Sequence, residues 1–159
     1  TGKVYKNCDE MNSILYQERL YNCSLRDDMG FMLLDRKEES TIEVADLYAP
    51  KEKALMHVKI GEPGKFIECI NQSINGARHY VHNKGAVIKK FGKELKEVEK
   101  ITLVLIITNK TVWKKQDISK YNSLRLKLNL LDWINAVQEL GFKPEIIIGK
   151  KKSNKIENV

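Results

Sequence analysis

No uninterrupted run of about 18 apolar residues, the length a membrane-spanning helix needs, occurs in the chain; the longest is ITLVLII at 101–107. Neither a membrane span nor a secretory leader is therefore expected, and the expected location is the cytoplasm. Cysteine is scarce. Cys8, Cys23 and Cys69 make an odd number without metal-ligand spacing, which argues against a zinc site or a disulfide framework and fits thiols in a reducing compartment. A P-loop, a GxSxG elbow and a Cys/His cluster are also missing, which removes the arguments for a nucleotidase, a serine hydrolase or a zinc enzyme. Internal repeats and low-complexity stretches are absent too. The chain opens at Thr1 without an initiator Met, which leads to the expectation of a longer parent polypeptide.

What is present is enough apolar material, 42% of 159 residues, for one well-filled core. One domain is expected over 1–150, followed by a basic flexible tail at 151–159. The formal charge of +7 and a pI near 9.2 favour an anionic partner, because each neutralised phosphate releases condensed counterions. Lysine also serves plain solubility, and Lys150, Lys151, Lys152 and Lys155 belong to the chain end. More specific is 84–100, where Val87, Ile88, Phe91, Leu95 and Val98 recur at helical spacing and lysines crowd the remainder. Lys89, Lys90 and Lys93 of that helix are candidates for tracking a phosphate backbone. Trp113, flanked by Lys114 and Lys115 in a loop, is a candidate for stacking on a base, whereas Trp133 in an apolar helical stretch reads as core.

Periodicity organises the rest. From about 9 to 26, Met11, Ile14, Tyr21 and Leu25 share a helical stripe, with Glu18 in its middle and hence pointing inward. FMLLD at 31–35, TIEVADLY at 41–48 and ALMHVKI at 54–60 read as three strands in hairpin connection, separated by RKEES and APKEK turns. GEPGK ends the third. Phe66, Ile70, Ile74, Ala77 and Val81 then trace the apolar face of a helix whose other face holds Glu68, Gln72, Asn75 and His79. ITLVLIIT at 101–108 lacks alternation, as for a strand covered on both sides, and a helix at about 129–140 ends at Gly141 before a last strand, PEIIIG.

The expected order is αβββα, a basic helical insert, then βαβ. Within it, Asp46, His57 and Lys59 come from two adjacent strands. His57 and Lys59 project to one sheet face and Met56, Val58 and Ile60 to the other, so an acid, an imidazole and an ammonium converge at one edge. A metal-dependent phosphodiesterase needs such a set: ligands for a hard cation, and a positive charge facing the attacking water and the scissile phosphate. Each residue also has a plainer explanation. Asp46 could serve the turn that follows it, His57 could be a core imidazole, Lys59 a packed stem with a wet head, and Glu18 one half of an ion pair. Glu43, three residues from Asp46, should face oppositely unless a bulge intervenes.

Motif and order together resemble the PD-(D/E)XK nuclease superfamily, with His57 standing where that superfamily usually has a carboxylate. The resemblance implies a restriction-endonuclease-like αβββαβ core, a mixed sheet flanked by helices. It also implies that Glu18, Asp46, His57 and Lys59 gather around Mg²⁺ or Mn²⁺: Asp46, His57 and Glu18 as ligands, Lys59 orienting or deprotonating the water, and Gln72 contacting water or phosphate. Replacing a carboxylate by imidazole removes one negative charge, so Mn²⁺ is expected to be preferred over Mg²⁺. The expected activity is that of an endonuclease acting on DNA ahead of RNA; the alternative is a catalytically inactive nucleic-acid-binding module on the same scaffold. A third class, a protein-interaction domain with incidental basicity, has only the charge to support it. A homodimer is compatible with the sequence, although no interface stripe stands out. The blocks ERLYN at 18–22, GFMLLDRK at 30–37, IEVADLY at 42–48, LMHVKIG at 55–61 and KLNL at 127–130 are similar to the C-terminal region of a sporadically distributed, uncharacterised prokaryotic protein family. That likeness implies a place in defence or mobile-element biology. After HVK the chain departs from it, with Phe66-Ile67-Glu68 and Gln72-Ser73.

Overall fold

The computed structural model describes residues 14–34, 43–107 and 124–150, without the side chains of 14–17 and 150. Among these, helix α1 covers Ile14–Met29, strand β1 Met32–Leu33, β2 Leu47–Ala49 and β3 Ala54–Gly61. A 3₁₀ turn, Pro63–Lys65, leads into α2, Phe66–His82. Helix α3, Lys84–Phe91, and a second 3₁₀ turn, Lys93–Lys96, precede β4, Lys100–Ile107, and then come α4, Leu124–Glu139, and β5, Lys143–Lys150. The five strands form one sheet in chain order, so β3 is central. β1, β2 and β3 are antiparallel neighbours, whereas β3, β4 and β5 run parallel. The protein is thus an α/β structure with a mixed five-stranded sheet flanked by helices.

The two faces are covered by different helices. Leu55, Leu103 and Leu105 pack with Phe66, Ile70 and Ala77 of α2, Val87 of α3 and Leu130, Trp133 and Val137 of α4. On the other face Met56, Val58 and Val104 pack with Tyr21 and Leu25 of α1. Alternation along β3 follows from the period of two, and it puts His57 and Lys59 on the α2 face. The two helices α2 and α4 are tied by a buried hydrogen bond in which Trp133 Nε1 donates to Ser73 Oγ at 2.7 Å, and Ser73 in turn donates to the Ile70 carbonyl at 2.8 Å. Trp133 is core, as its helical setting implied.

Several boundaries move. Helix α1 runs on past Arg26 to Met29 and is ended by Gly30, whose φ of +69° a side-chain-bearing residue adopts at a cost. The basic run 84–100 is two pieces: Gly92, at φ +121°, breaks the helix, and Leu95 reaches the core from a 3₁₀ turn instead. Val81, expected on the apolar face of α2, is 42% exposed. Among the described residues β1 takes up only Met32–Leu33 of FMLLD and β2 only Leu47–Ala49 around the end of TIEVADLY, and Val44 and Ala45 are buried in the core shared with α2 rather than laddered to β3. The close approach there has a specific cause: a Cβ on Gly76 of α2 would stand 2.2 Å from the Val44 carbonyl oxygen. Cys69 is buried and Cys23 half-buried, both as free thiols. No helix among the described residues is long and apolar enough to cross a membrane. Trp113, Lys114, Lys115, Cys8 and the tail 151–159 lie outside the described residues.

Candidate functional site

β2 is three residues long and β3 eight, so the second half of β3 runs on past its partner. Backbone N–H groups two residues apart on a strand point to the same edge, roughly 7 Å from each other. Those of Val58 and Ile60 therefore face the side that β2 has vacated. Both are taken up by carboxylates. Val58 N donates to Asp46 Oδ2 at 2.8 Å, and Ile60 N donates to Glu18 Oε1 at 2.9 Å. Lys59 sits between these two positions, and its Nζ is 3.5 Å from Glu18 Oε1, with both side chains mostly buried, at 19% and 14% exposure.

Asp46 is fixed by its backbone as well. Its N–H donates to the Met56 carbonyl at 3.0 Å, and its own carbonyl accepts from Leu34 N at 2.9 Å. Met56 is also the register partner of Leu47, so two successive residues address one, as in a β-bulge. Such an irregularity re-aims a side chain, and here it directs the Asp46 carboxylate along the β3 edge. From the α2 side the thiol of Cys69 faces the same cluster. Burial pushes its pKa up first; the Asp46 carboxylate adds to this, Lys59 opposes it, and Glu18 and Glu68 add further. Asp46, Lys59, Glu18 and Glu68 thus all lie within electrostatic reach of one buried sulfur.

The structure brings Glu18, Asp46 and Lys59 together and buries His57 on the same face of β3 as Lys59. The imidazole is only 4% exposed, and burial lowers its pKa to about 4. It is neutral at physiological pH. Its Nε2 has no hydrogen-bond partner, so a ring nitrogen lies buried without compensation. Among the described residues no group of three His, Cys, Asp or Glu side chains could hold one ion. A magnesium-type site does not require such a group, because Mg²⁺ keeps several waters and is commonly held by one or two carboxylates plus substrate phosphates. Asp46 and Glu18 are the two carboxylates that this edge of β3 gathers, each already accepting one backbone N–H. Gln72 is exposed on α2, one turn beyond Glu68. Lys89, Lys90 and Lys93 are exposed on and just after α3, beyond the far end of α2 from this cluster.

Sequence reasoning left Glu68 and Cys69 outside the site; their being one helical turn into the element that follows β3 was the available signal. Asn22 follows Glu18 by one turn on α1. Asn22 is 3% exposed, and its Oδ1 lacks a partner. Comparisons of the chain with protein-family models, with curated proteins and with solved structures return no match.

Proposed function

We propose that the protein is a metal-dependent nucleic-acid phosphodiesterase of restriction-endonuclease-like fold, with Asp46, Glu18 and Lys59 as its working groups. The fold reading is supported by the order αβββααβαβ, the central β3 and the change from antiparallel to parallel pairing across it. The functional reading is carried by one observation, the two carboxylates that accept from Val58 N and Ile60 N on either side of Lys59. Asp46 and Glu18 would hold Mg²⁺ or Mn²⁺, which supplies Lewis-acid polarisation and a lowered water pKa. Lys59 stabilises charge on the phosphoryl oxygens and orients the water, and its pairing with Glu18 keeps the ammonium beside the ligands. Gln72 and Glu68, both exposed at the start of α2, face the solvent side where a phosphate backbone would enter.

Testing this requires the purified chain, plasmid and linear DNA, structured RNA, and Mg²⁺ or Mn²⁺ in turn. Cleavage that is lost on chelation and lost in both Asp46→Ala and Lys59→Ala supports the reading, whereas cleavage surviving Asp46→Ala ends it. A second reading, a binding module without catalysis, is favoured by His57, whose imidazole is buried where a third ligand would be expected. Under it, Asp46→Ala leaves DNA affinity unchanged and no variant differs in cleavage. A nuclease instead gives unchanged or tighter binding by that variant, because a negative charge beside the phosphate has gone, together with abolished cleavage.

A further inference from the structure

The lysines of α3 cannot touch the phosphate held at Asp46 and Lys59, and their distance from it has a consequence for the substrate. α2 begins beside the carboxylate pair, and fourteen residues separate Glu68 from His82, about 21 Å of helix. Its outward side between those ends carries Asn71, Asn75, Arg78 and His82, all exposed, with Gln72 and the half-buried His79 at its margin. These recur three or four residues apart and so form one stripe. Gly76 lies to one side of this stripe and is buried, with the Val44 backbone seated where its Cβ would be, two residues before Asp46. Beyond Glu68 the stripe bears no acidic residue to repel a phosphate backbone. α3 follows immediately after Asn83. Lys89, Lys90 and Lys93 have exposed ammonium groups with no carboxylate partner among the described residues, whereas Lys53 and Lys100 at the same end of the sheet are neutralised by Glu97 and Glu99, and by Glu145 and Glu52.

We infer that a DNA duplex lies along the outward stripe of α2, from the Asp46–Lys59 cluster to the lysines of α3 and the turn after it. This rests on the nucleic-acid reading above and adds a length requirement to it. At about 3.4 Å per base pair along the duplex, the length of α2 alone corresponds to roughly six base pairs, which sets the scale of the separation between the lysines and the phosphate at the site. DNA shorter than that on this side reaches the carboxylates but not the lysines.

The test measures binding by the full chain, without divalent metal, to duplexes that carry an end label. The arm on one side of a central position is lengthened from about two to about fourteen base pairs. Affinity is expected to rise by about tenfold once the arm passes roughly six base pairs. The triple variant Lys89→Gln, Lys90→Gln, Lys93→Gln should bind short duplexes as the wild type does, lack the rise, and show a slope of log affinity against log salt that is shallower by about 3. Asn75→Glu, which places a carboxylate midway along the stripe, should weaken binding to long duplexes and spare short ones. A wild-type affinity with no step, a step that survives the triple substitution, or an Asn75→Glu variant that binds long duplexes normally would overturn the inference. A wild type that shows the step yet never cleaves leaves the inference standing and removes the phosphodiesterase reading, so the two fail separately.

Discussion

The first half of β3 and its second half are built differently. From Ala54 to Met56 the strand is paired on both sides, to β2 and β4, and every residue is buried. From Val58 to Gly61 it is paired on the β4 side alone, and side-chain carboxylates replace the missing neighbour. The first half is a structural element held by ladder hydrogen bonds to both neighbours, with the Met56 carbonyl also accepting from Asp46 N. In the second, the backbone's need for acceptors is what collects two negative charges and one positive charge at a single place. Buried N–H groups must be satisfied, so a strand that outruns its partner recruits acceptors. When these are carboxylates on separate elements, the charge cluster on which the proposed function rests is assembled from parts that also hold the fold together.

Substitutions in the two halves should therefore separate activity from stability. The largest effect is expected at Asp46. Asp46→Asn keeps an oxygen able to accept from Val58 N, so the fold persists, while the charge that the proposed function assigns to metal binding is lost; under that function cleavage should fall on the order of 10³-fold, comparable to loss of a principal electrostatic group, with little change in urea midpoint. Leu55→Ala is the converse. It empties a fully buried position in the paired half and should cost about 2–5 kcal/mol of unfolding free energy, while activity per folded molecule stays within a few-fold. If both substitutions lowered both quantities alike, the two halves would not be functionally distinct.

His57 sits at the junction of the halves and should produce the next largest effect, as a pH dependence. Its ordinary pKa of 6.5 is lowered to about 4 in the folded protein by burial. The unfolded chain therefore binds a proton that the folded one refuses between these values. Stability from this source is intact above about pH 6.5, declines as pH falls toward 4, and declines no further below; the whole window amounts to roughly 3 kcal/mol. His57→Met removes the titrating group and the orphaned Nε2 and should flatten stability between pH 4 and 6.5, as measured by denaturant titration at each pH. The same variant addresses the metal. If His57 contributes a ligand, His57→Met abolishes the preference for Mn²⁺ over Mg²⁺, and if it does not, the ratio of rates in the two metals is unchanged.

The site was more legible in the chain than its support was. Asp46, Lys59 and Glu18 could be placed together because strand alternation and a helical stripe are local patterns, and each fixes a direction. Glu18 stood out as a charge on an apolar stripe, and that anomaly is what the vacated β3 edge resolves. His57 shares the alternation of Lys59, yet its burial and the unpartnered Nε2 depend on how far β3 is covered by α2, which no local pattern records. The contribution of Gly76 is tertiary in the same way. One missing Cβ on α2 lets the Val44 carbonyl approach, and the sequence offers only a glycine inside a helix. The basic run 84–100 kept a helical spacing through Leu95, because the 3₁₀ turn that follows Gly92 returns a side chain to the core at nearly the same interval; periodicity alone could not reveal the break. Leu124, Leu128 and Leu131, at 68%, 50% and 54% exposure on the outer side of α4, were likewise indistinguishable from core leucines by spacing.

The smallest effect separates the two roles of Glu18, and it is the sharpest probe of the second half of β3. As an acceptor for Ile60 N, the side chain needs an oxygen but not a charge; as partner to Lys59 and to a metal ion, it needs the charge. Glu18→Gln retains the first role and removes the second. The ion pair is only partly withdrawn from water and its 3.5 Å separation is long, so its loss should change unfolding free energy by less than about 1 kcal/mol. The concentration of Mn²⁺ or Mg²⁺ that gives half-maximal cleavage should rise at least about tenfold, since one of two charged ligands has become neutral. Glu18→Ala loses both roles and should in addition cost about 1–3 kcal/mol for the unpaired Ile60 N–H. A Glu18→Gln variant whose metal requirement matches the wild type would assign Glu18 to the backbone alone and leave Asp46 as the only carboxylate of the pair that the cation needs.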